Sequence, residues 1–185
     1  MAARLTLVAA AWAASVAIAL LVAGCGIAAN PTGTASLTPP SVGPSIGTTA
    51  AVTQTRAALA AALTTKNLQL GDPKVPFRPP ESPRFAEARR AVYQVVLPAD
   101  PVHGFISVYE FPDAAATASA GVEEAAFVGS GPGRVQFPAN TRFVIRQLGT
   151  TIVFYAWSPD NSPDPRTPDI QSALETVGTA IAVPS

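Results

Sequence analysis

The stretch TRFVIRQLGTTIVFYAWS, residues 141–158, contains two runs of β-branched and aromatic residues on either side of Gly149-Thr150. Two such runs joined by a short glycine-containing connection are typical of a β-hairpin. A second pair of runs, AVYQVVLP at 91–98 and FISVYEF at 105–111, flanks the turn sequence ADPVHG. The chain therefore predicts two hairpins, each built from residues that favour strands.

Each predicted hairpin is followed by a segment that favours a helix. Asp113 can cap a helix over 114–128, because its side chain can accept a hydrogen bond from the first turn. Thr167-Pro168-Asp169 places a cap, a first-turn proline and an early acid in their preferred order. The apolar residues of this last helix recur at helical spacing: Ile170, Leu174, Val177 and Ile181.

The order of these segments predicts an α+β fold in which a hairpin–helix arrangement is repeated twice. We expect an antiparallel sheet of four to five strands, with helices packed on one face. Residues 106–111 and 152–157 can be aligned, which favours pseudo-symmetry between the two halves. A further helix is predicted at 53–66, a short strand at 67–70, and an extended surface segment at 73–83, where five prolines exclude regular ladders.

The inner strands carry large apolar residues on both faces, whereas a sheet with one solvated face alternates apolar and polar residues. Tyr109 and Phe111 share one face of their strand, and so do Tyr155 and Trp157. Something apolar must cover the second face of the sheet. The cover is either the chain itself or an external partner or ligand, and these four aromatic residues are the candidate ligand or partner site.

Composition and motifs argue against several classes of function. Removing Arg4 with the N-terminal segment leaves 11 basic against 12 acidic residues, so the positive surface of a nucleic-acid-binding protein is missing. No catalytic residue, metal site or cofactor is predicted, because His103 is the only histidine and the common hydrolase, protease and nucleotide-binding motifs do not occur. His103 is expected to be a solvated turn residue.

Two sets of polar residues offer exceptions to this pattern. Oxygen atoms in the proline-rich loop before the last predicted helix could bind calcium. Their spacing does not match an EF-hand, however, and Asp residues also occur in turns and helix caps. Arg142 and Arg146 share a strand face and could bind an anion, although charged sheet edges are common. The loop residues that would supply oxygen atoms to calcium are Asp160, Asn161, Asp164 and Asp169.

The chain begins with a basic residue, Arg4, and then an uncharged apolar run over 5–23. This pattern predicts a secretory signal peptide over residues 1–24. The segment Val22-Ala23-Gly24-Cys25 resembles the lipobox of bacterial lipoproteins. The resemblance implies cleavage between Gly24 and Cys25 and a diacylglyceryl group on the Cys25 thiol, which would attach the protein firmly to a membrane. A membrane-helix cysteine and an ordinary cleavage site are the alternatives.

The lipidated N-terminus and a disordered tether are predicted at 25–52, because residues 26–52 contain no charge and no aromatic residue. A single α+β domain is predicted at 53–185. Together these features predict a lipid-anchored protein on the extracytoplasmic face of the cell membrane or outer membrane, acting as a non-enzymatic binding or interaction module. The alternative is a carrier or sensor for a small apolar or amphipathic ligand held under the aromatic sheet face. An enzyme of unrecognised type is the third hypothesis.

Overall fold

The computed structural model describes residues 49–184, so the predicted signal peptide, Gly24, Cys25 and the tether as far as residue 48 lie outside the described residues. The described part is an α+β fold, as predicted. Its helices are α1 (Ala50–Thr64), α2 (Pro83–Glu87), α3 (Ala114–Gly129), α4 (Gly131–Arg134) and α5 (Thr167–Leu174). Its strands are β1 (Leu70–Gly71), β2 (Arg89–Val95), β3 (Phe105–Glu110), β4 (Arg142–Leu148), β5 (Thr151–Trp157) and β6 (Thr179–Ala180).

The strands form one antiparallel sheet in the order β1-β2-β3-β5-β4-β6. Both predicted hairpins are confirmed: β2 pairs with β3, and β4 pairs with β5. The second strands of the two hairpins are central neighbours, with Tyr109 opposite Ile152 and Ser107 opposite Phe154. The sheet has six strands rather than four to five, because the two-residue strands β1 and β6 extend its edges.

The C-terminal edge strand exists because α5 ends earlier than predicted. The helix stops at Leu174, and Gly178 then adopts a positive φ of 55°. A Cβ atom on Gly178 would lie 2.1 Å from the Gln147 carbonyl oxygen, so glycine is needed for the chain to approach β4 this closely. Ile181 therefore leaves the predicted helical stripe and packs on the opposite side of the sheet.

Helices cover both faces of the sheet, so the prediction of helices on one face is wrong. The first face packs against α1 and α5 through Leu59, Leu63, Ile170 and Leu174. The second face packs against α3 and α2 through Ala120, Val128 and Phe85. The physical reason is visible in β3 and β5, whose side chains are buried on both faces and need an apolar layer on each side.

The alignment of 106–111 with 152–157 does not correspond to rotational symmetry. Tyr109 lies opposite Ile152 and therefore shares a face with it, whereas Tyr155 points to the other face. A rotation that exchanges two antiparallel neighbours in one sheet keeps each residue on its own face. Since α3 and α5 also lie on opposite faces, the predicted pseudo-symmetry is not present in the fold.

The folded domain begins before residue 53. Thr49 caps α1, its side chain accepting a hydrogen bond of 3.2 Å from the Val52 amide. Val52 is fully buried in the core cluster that also contains residues of α5 and the sheet, although the prediction placed it in the tether. The Ala- and Thr-rich sequence around Val52 does not mark this boundary, because most members of that cluster lie far away in the chain.

Candidate functional site

The structure places the four predicted aromatic site residues in the core rather than on one binding face. Tyr109 and Phe111 pack beneath Phe85 on the second face, with Phe85–Tyr109 ring centroids 4.3 Å apart. Tyr155 and Trp157 lie on the first face, in the same cluster as α1 and α5. The most exposed of the four, Phe111 and Trp157, are each only 8% accessible. The chain itself therefore covers both sheet faces.

An open groove lies at one end of the sheet, where the two hairpins separate. Pairing between β3 and β5 ends at Ser107 and Phe154, although β3 begins at Phe105 and β5 continues to Trp157. The groove occupies about 230 Å³. Ala156 and Trp157, which point to opposite faces of the sheet, both line it, so the groove opens around the end of β5.

The walls of the groove are mainly aromatic rings and prolines. Phe105 and Phe154 come from the two central strands, and Phe137 from the segment before β4. Phe77, from the proline-rich segment, stacks on Phe105 with ring centroids 4.3 Å apart and planes at 8°. Three prolines complete the apolar lining: Pro79, Pro80 and Pro138. The proline-rich segment, which was predicted to run as extended chain over the surface, thus forms one wall of the groove.

Several polar side chains line the groove, among them Thr141, His103, Asn161 and Ser162. The Thr141 hydroxyl is buried and has no hydrogen-bond partner among the described residues. The His103 ring is half exposed, and its Nδ1 lies 2.6 Å from Oδ1 of the buried Asp100. Because a carboxylate accepts, Nδ1 carries the proton in the neutral ring and Nε2 is left as an acceptor. His103 is therefore held by a carboxylate rather than freely solvated as predicted.

A buried polar cluster holds the proline-rich wall onto the sheet. Glu81, with a side chain only 2% exposed, accepts hydrogen bonds from Tyr109 Oη at 2.8 Å and from Arg78 at 3.0 and 3.2 Å. Arg90 on β2 also donates to Glu81. We call Glu81, Arg78, Arg90 and Tyr109 the Glu81 cluster. It joins the groove wall to both β2 and β3.

A second buried carboxylate fixes the residue after Glu81. The Ser82 amide donates to Glu124 Oε2 at 2.8 Å, while Glu124 Oε1 has no partner among the described residues. Burial raises the pKa of Glu124 above its usual value, and hydrogen bonds from Ser82 offset only part of that effect. Burial and the neighbouring Glu81 also raise the pKa of the Tyr109 phenol well above its ordinary value, so this phenol stays protonated and donates.

We expect Glu124 to make stability fall as pH rises. A carboxyl whose pKa is raised in the folded state binds more protons folded than unfolded, so the free energy of unfolding decreases from about pH 4.5 up to the raised pKa. Glu124→Gln keeps an oxygen for the Ser82 amide but removes the titration. Urea unfolding at several pH values should show the free energy of unfolding of wild type falling relative to that of Glu124→Gln as pH rises across that window.

The neighbouring Glu123 supplies the control for this measurement. Its side chain is 46% exposed, and its charge is the smallest of the influences that raise the pKa of Glu124, so Glu123→Gln should keep a pH dependence close to that of wild type. Equal pH profiles for wild type and Glu124→Gln would contradict the assignment.

The polar loop considered for calcium is a structural link. The Asp164 carboxylate accepts from the Ala99 amide at 3.2 Å and from both the backbone and side chain of Arg166. These bonds with Arg166 lower the pKa of Asp164. Within residues 49–184, no cluster of three or more His, Cys, Asp or Glu side chains could hold a metal ion.

The two arginines of β4 also have structural partners. Arg142 lies over the Trp157 ring at 5.2 Å from its centroid. Arg146 donates to the Val177 and Gly178 carbonyl oxygens at 2.7 and 2.8 Å, which fixes the turn between α5 and β6 on β4. They share a strand face as predicted, and each helps to close the first face of the sheet.

No family model, curated protein or solved structure matches the chain. Among the described helices, none has both the length and the apolar character needed to cross a membrane.

Sequence reasoning missed most of the groove. Phe77 and Phe137 lie in irregular segments, where no periodicity indicates which way a ring points. A local signal existed for one polar group: Asp100 and His103 are three residues apart in one turn, a spacing at which a carboxylate can reach an imidazole. Glu81 had the same kind of signal only toward Arg78, three residues before it, because its partners on β2 and β3 are brought to it by the fold.

Proposed function

We propose that the protein is a lipid-anchored, extracytoplasmic envelope protein whose folded domain binds a small apolar or amphipathic ligand in the groove. The lipobox-like segment ending at Cys25 supports the anchor and the location. The groove supports the binding role and replaces the aromatic sheet face as the candidate site. The ligand then lies at the end of the sheet, between the two hairpins.

The observation that carries the binding proposal is the separation of β3 and β5 around an aromatic-lined opening. Both sheet faces are closed by the protein's own helices, yet this end exposes apolar surface with spare hydrogen-bonding groups. Ligand pockets commonly combine an apolar lining with a few fixed polar groups. The groove has this composition.

One observation favours the enzyme alternative. Asp100 orients His103 as a carboxylate orients a general base. However, among the described residues the His103 ring hydrogen-bonds only to Asp100, and no hydroxyl group bonds to it. We therefore place binding ahead of catalysis.

Lipidation at Cys25 is tested by mass spectrometry of the protein recovered from the membrane fraction. We expect an N-terminal peptide that begins at Cys25 and carries a diacylglyceryl group. Cys25→Ser should remove the only thiol of the chain and block this processing. An unmodified Cys25 thiol in the membrane fraction would contradict the anchor.

Binding in the groove is tested with ethylbenzene, a small apolar probe. Trp157 lines the groove, and the other tryptophan, Trp12, lies in the proposed signal peptide, so in the mature protein Trp157 emission is a direct reporter. We expect ethylbenzene to change this emission saturably. Adding Ala156→Leu should weaken binding at least severalfold, because it fills the groove from β5.

Ala57→Leu is the matched control, since Ala57 is exposed on α1 and does not line the groove. It should leave the ethylbenzene response unchanged. If Ala156→Leu and Ala57→Leu respond alike, the groove is not the binding site.

A further inference from the structure

The proline-rich segment that forms the groove wall is held onto the domain by contacts that involve side chains. Within the described part of the chain, residues 73–81 make no backbone–backbone hydrogen bond. The contacts that hold the segment are the Lys74 amide with Gln94 Oε1, Phe77 with Phe105, Glu81 with its cluster, and the Ser82 amide with Glu124. The segment can therefore leave the domain without breaking a strand pairing of the sheet.

Glu124 of α3 forms the buried end of one of these contacts. The residue is 1% exposed, and its Oε2 accepts from the Ser82 amide at 2.8 Å. Its Oε1 has no partner among the described residues. A buried carboxylate with so few hydrogen bonds lacks the solvation that its charge needs. The neutral carboxyl group keeps the bond to Ser82, because its carbonyl oxygen still accepts.

The charges around Glu124 do not compensate for this burial. Among the described residues, the charged groups that act on it are Glu81, which adjoins Ser82, and Glu123 of the same helix. Both are acidic and disfavour a second negative charge. The other charged or titratable groups of the packed elements bond elsewhere: Arg78, Arg90 of β2 and Tyr109 of β3 to Glu81, and Arg84 of α2 to Ser119 and the Ala116 carbonyl oxygen.

From this geometry we propose that residues 73–82 form a proton-controlled strap, which a proton on Glu124 keeps closed on the sheet and loss of that proton releases. In the open state water solvates Glu124, so its pKa returns toward the ordinary value. The closed state therefore binds more protons than the open state. Opening becomes more favourable as pH rises from about 4.5 to the raised pKa of Glu124.

Opening of the strap would also remove one wall of the groove, because Phe77 leaves Phe105 together with the strap. A ligand that needs this wall is then held more tightly at low pH, since binding and proton uptake favour the same state. This consequence for the ligand rests on the proposed function, whereas the strap itself does not.

Hydrogen exchange followed by mass spectrometry measures opening of the strap. Among the described residues 75–82, the Ser82 amide is the only amide with a hydrogen-bond partner, so slow exchange in a peptide from this segment comes from Ser82. The protein is used as recovered from cells, in lipid nanodiscs. After correction for the intrinsic exchange rate, we expect Ser82 protection to fall as pH rises through this window, by up to about tenfold per pH unit for one proton.

The Val95 amide of β2 distinguishes opening of the strap from unfolding of the domain. It donates to the Gly104 carbonyl oxygen and is part of the sheet. Ser82 protection should be lower than that of Val95 and insensitive to low concentrations of urea, because opening of the strap exposes little surface. Equal protection of the two amides with the same urea dependence would refute the strap, because Ser82 would then exchange only when the domain unfolds.

Glu124→Gln removes the proton-binding group and keeps an oxygen for the Ser82 amide. Its Ser82 protection should be nearly independent of pH across the window, whereas Glu123→Gln should keep the trend of wild type. If Glu124→Gln does not fold, the profile of wild type still decides. Ser82 protection that stays constant or rises with pH in wild type would overturn the proposal.

Ethylbenzene separates this proposal from the proposed function. We expect its affinity to fall with rising pH in wild type and to change little in Glu124→Gln. Constant affinity while Ser82 protection falls would show that the strap does not control the groove. Failure of ethylbenzene to bind at any pH would contradict the groove site, whereas a pH-dependent Ser82 protection would still support the strap.

Discussion

Truncating Trp157 to alanine should lower the free energy of unfolding by about 3–5 kcal/mol, the usual cost of deleting a core aromatic side chain. Trp157 is 8% exposed and belongs to the same buried cluster as Tyr155 and Leu174. Its Nε1 donates to Gln171 Oε1 at 2.9 Å, and Arg142 lies over its ring. The substitution leaves a cavity between β5 and α5 and removes the partner of both polar side chains.

The measurement is urea unfolding of Trp157→Ala against wild type, followed by circular dichroism because the variant loses its fluorescent reporter. Val122→Ala is the control: Val122 is 63% exposed on α3, and its truncation should change stability by less than about 0.5 kcal/mol. A loss below about 1 kcal/mol for Trp157→Ala would contradict its place in the core, since surface substitutions have effects of that size. Such a small loss would favour the sheet face that carries Tyr155 and Trp157 as a binding surface.

Glu81→Gln should be comparably damaging, with a loss of about 3–5 kcal/mol, because it leaves a buried cation without its counter-charge. Arg90 is only 11% exposed and pairs with Glu81, which is itself 2% exposed. Tyr109 also donates its phenolic proton to this carboxylate. The substitution keeps the shape of the side chain, so the loss measures the charge and hydrogen bonds of the Glu81 cluster rather than a cavity.

Asp72→Asn is the matched control, because Asp72 pairs with Arg56 at the surface and is 82% exposed. Exposed pairs contribute about 0–1 kcal/mol, so Asp72→Asn should be nearly neutral. Urea unfolding of both variants under the same conditions makes the comparison. If Glu81→Gln and Asp72→Asn lower the free energy of unfolding by similar small amounts, the Glu81 cluster does not hold the groove wall.

A further readout separates local from global effects of Glu81→Gln. Because the Glu81 cluster attaches the proline-rich segment to β2 and β3, its loss should also loosen Phe77 on Phe105. Ethylbenzene affinity should therefore fall in Glu81→Gln even under conditions where the domain remains folded. Unchanged affinity would mean that the groove wall is held by other contacts.

The two hairpins could be predicted because their determinants are local. The strand-forming runs of β4 and β5 lie on either side of Gly149, which takes a positive φ of 59° in the turn between them. The start of α3 is also local, since Asp113 accepts from the Ala116 amide three residues later. Strand pairing and capping of this kind depend on neighbours a few residues away, which a sequence shows directly.

The end of α5 and the start of α1 could not be predicted as well, because each depends on a distant contact. Gly178 ends the helical stripe where the chain passes close to Gln147 of β4. Val52 belongs to the domain because it is buried in the core cluster that also contains residues of α5 and the sheet. Neither Gly178 nor Val52 has an immediate sequence neighbour that indicates these contacts.

Residue type and local spacing are enough to establish the α+β class, the two hairpins and the apolar residues on both faces of the inner strands. The sequence also carries the lipobox-like segment at Cys25 on which the anchor is proposed. Long-range contacts, in contrast, establish which helix covers which face, and place Tyr109 and Tyr155 on opposite sides of the sheet. Strand register settles such questions, since a shift of one residue moves every side chain to the other face. The groove is likewise a tertiary feature: it forms where β3 and β5 separate, and its walls come from segments far apart in the chain.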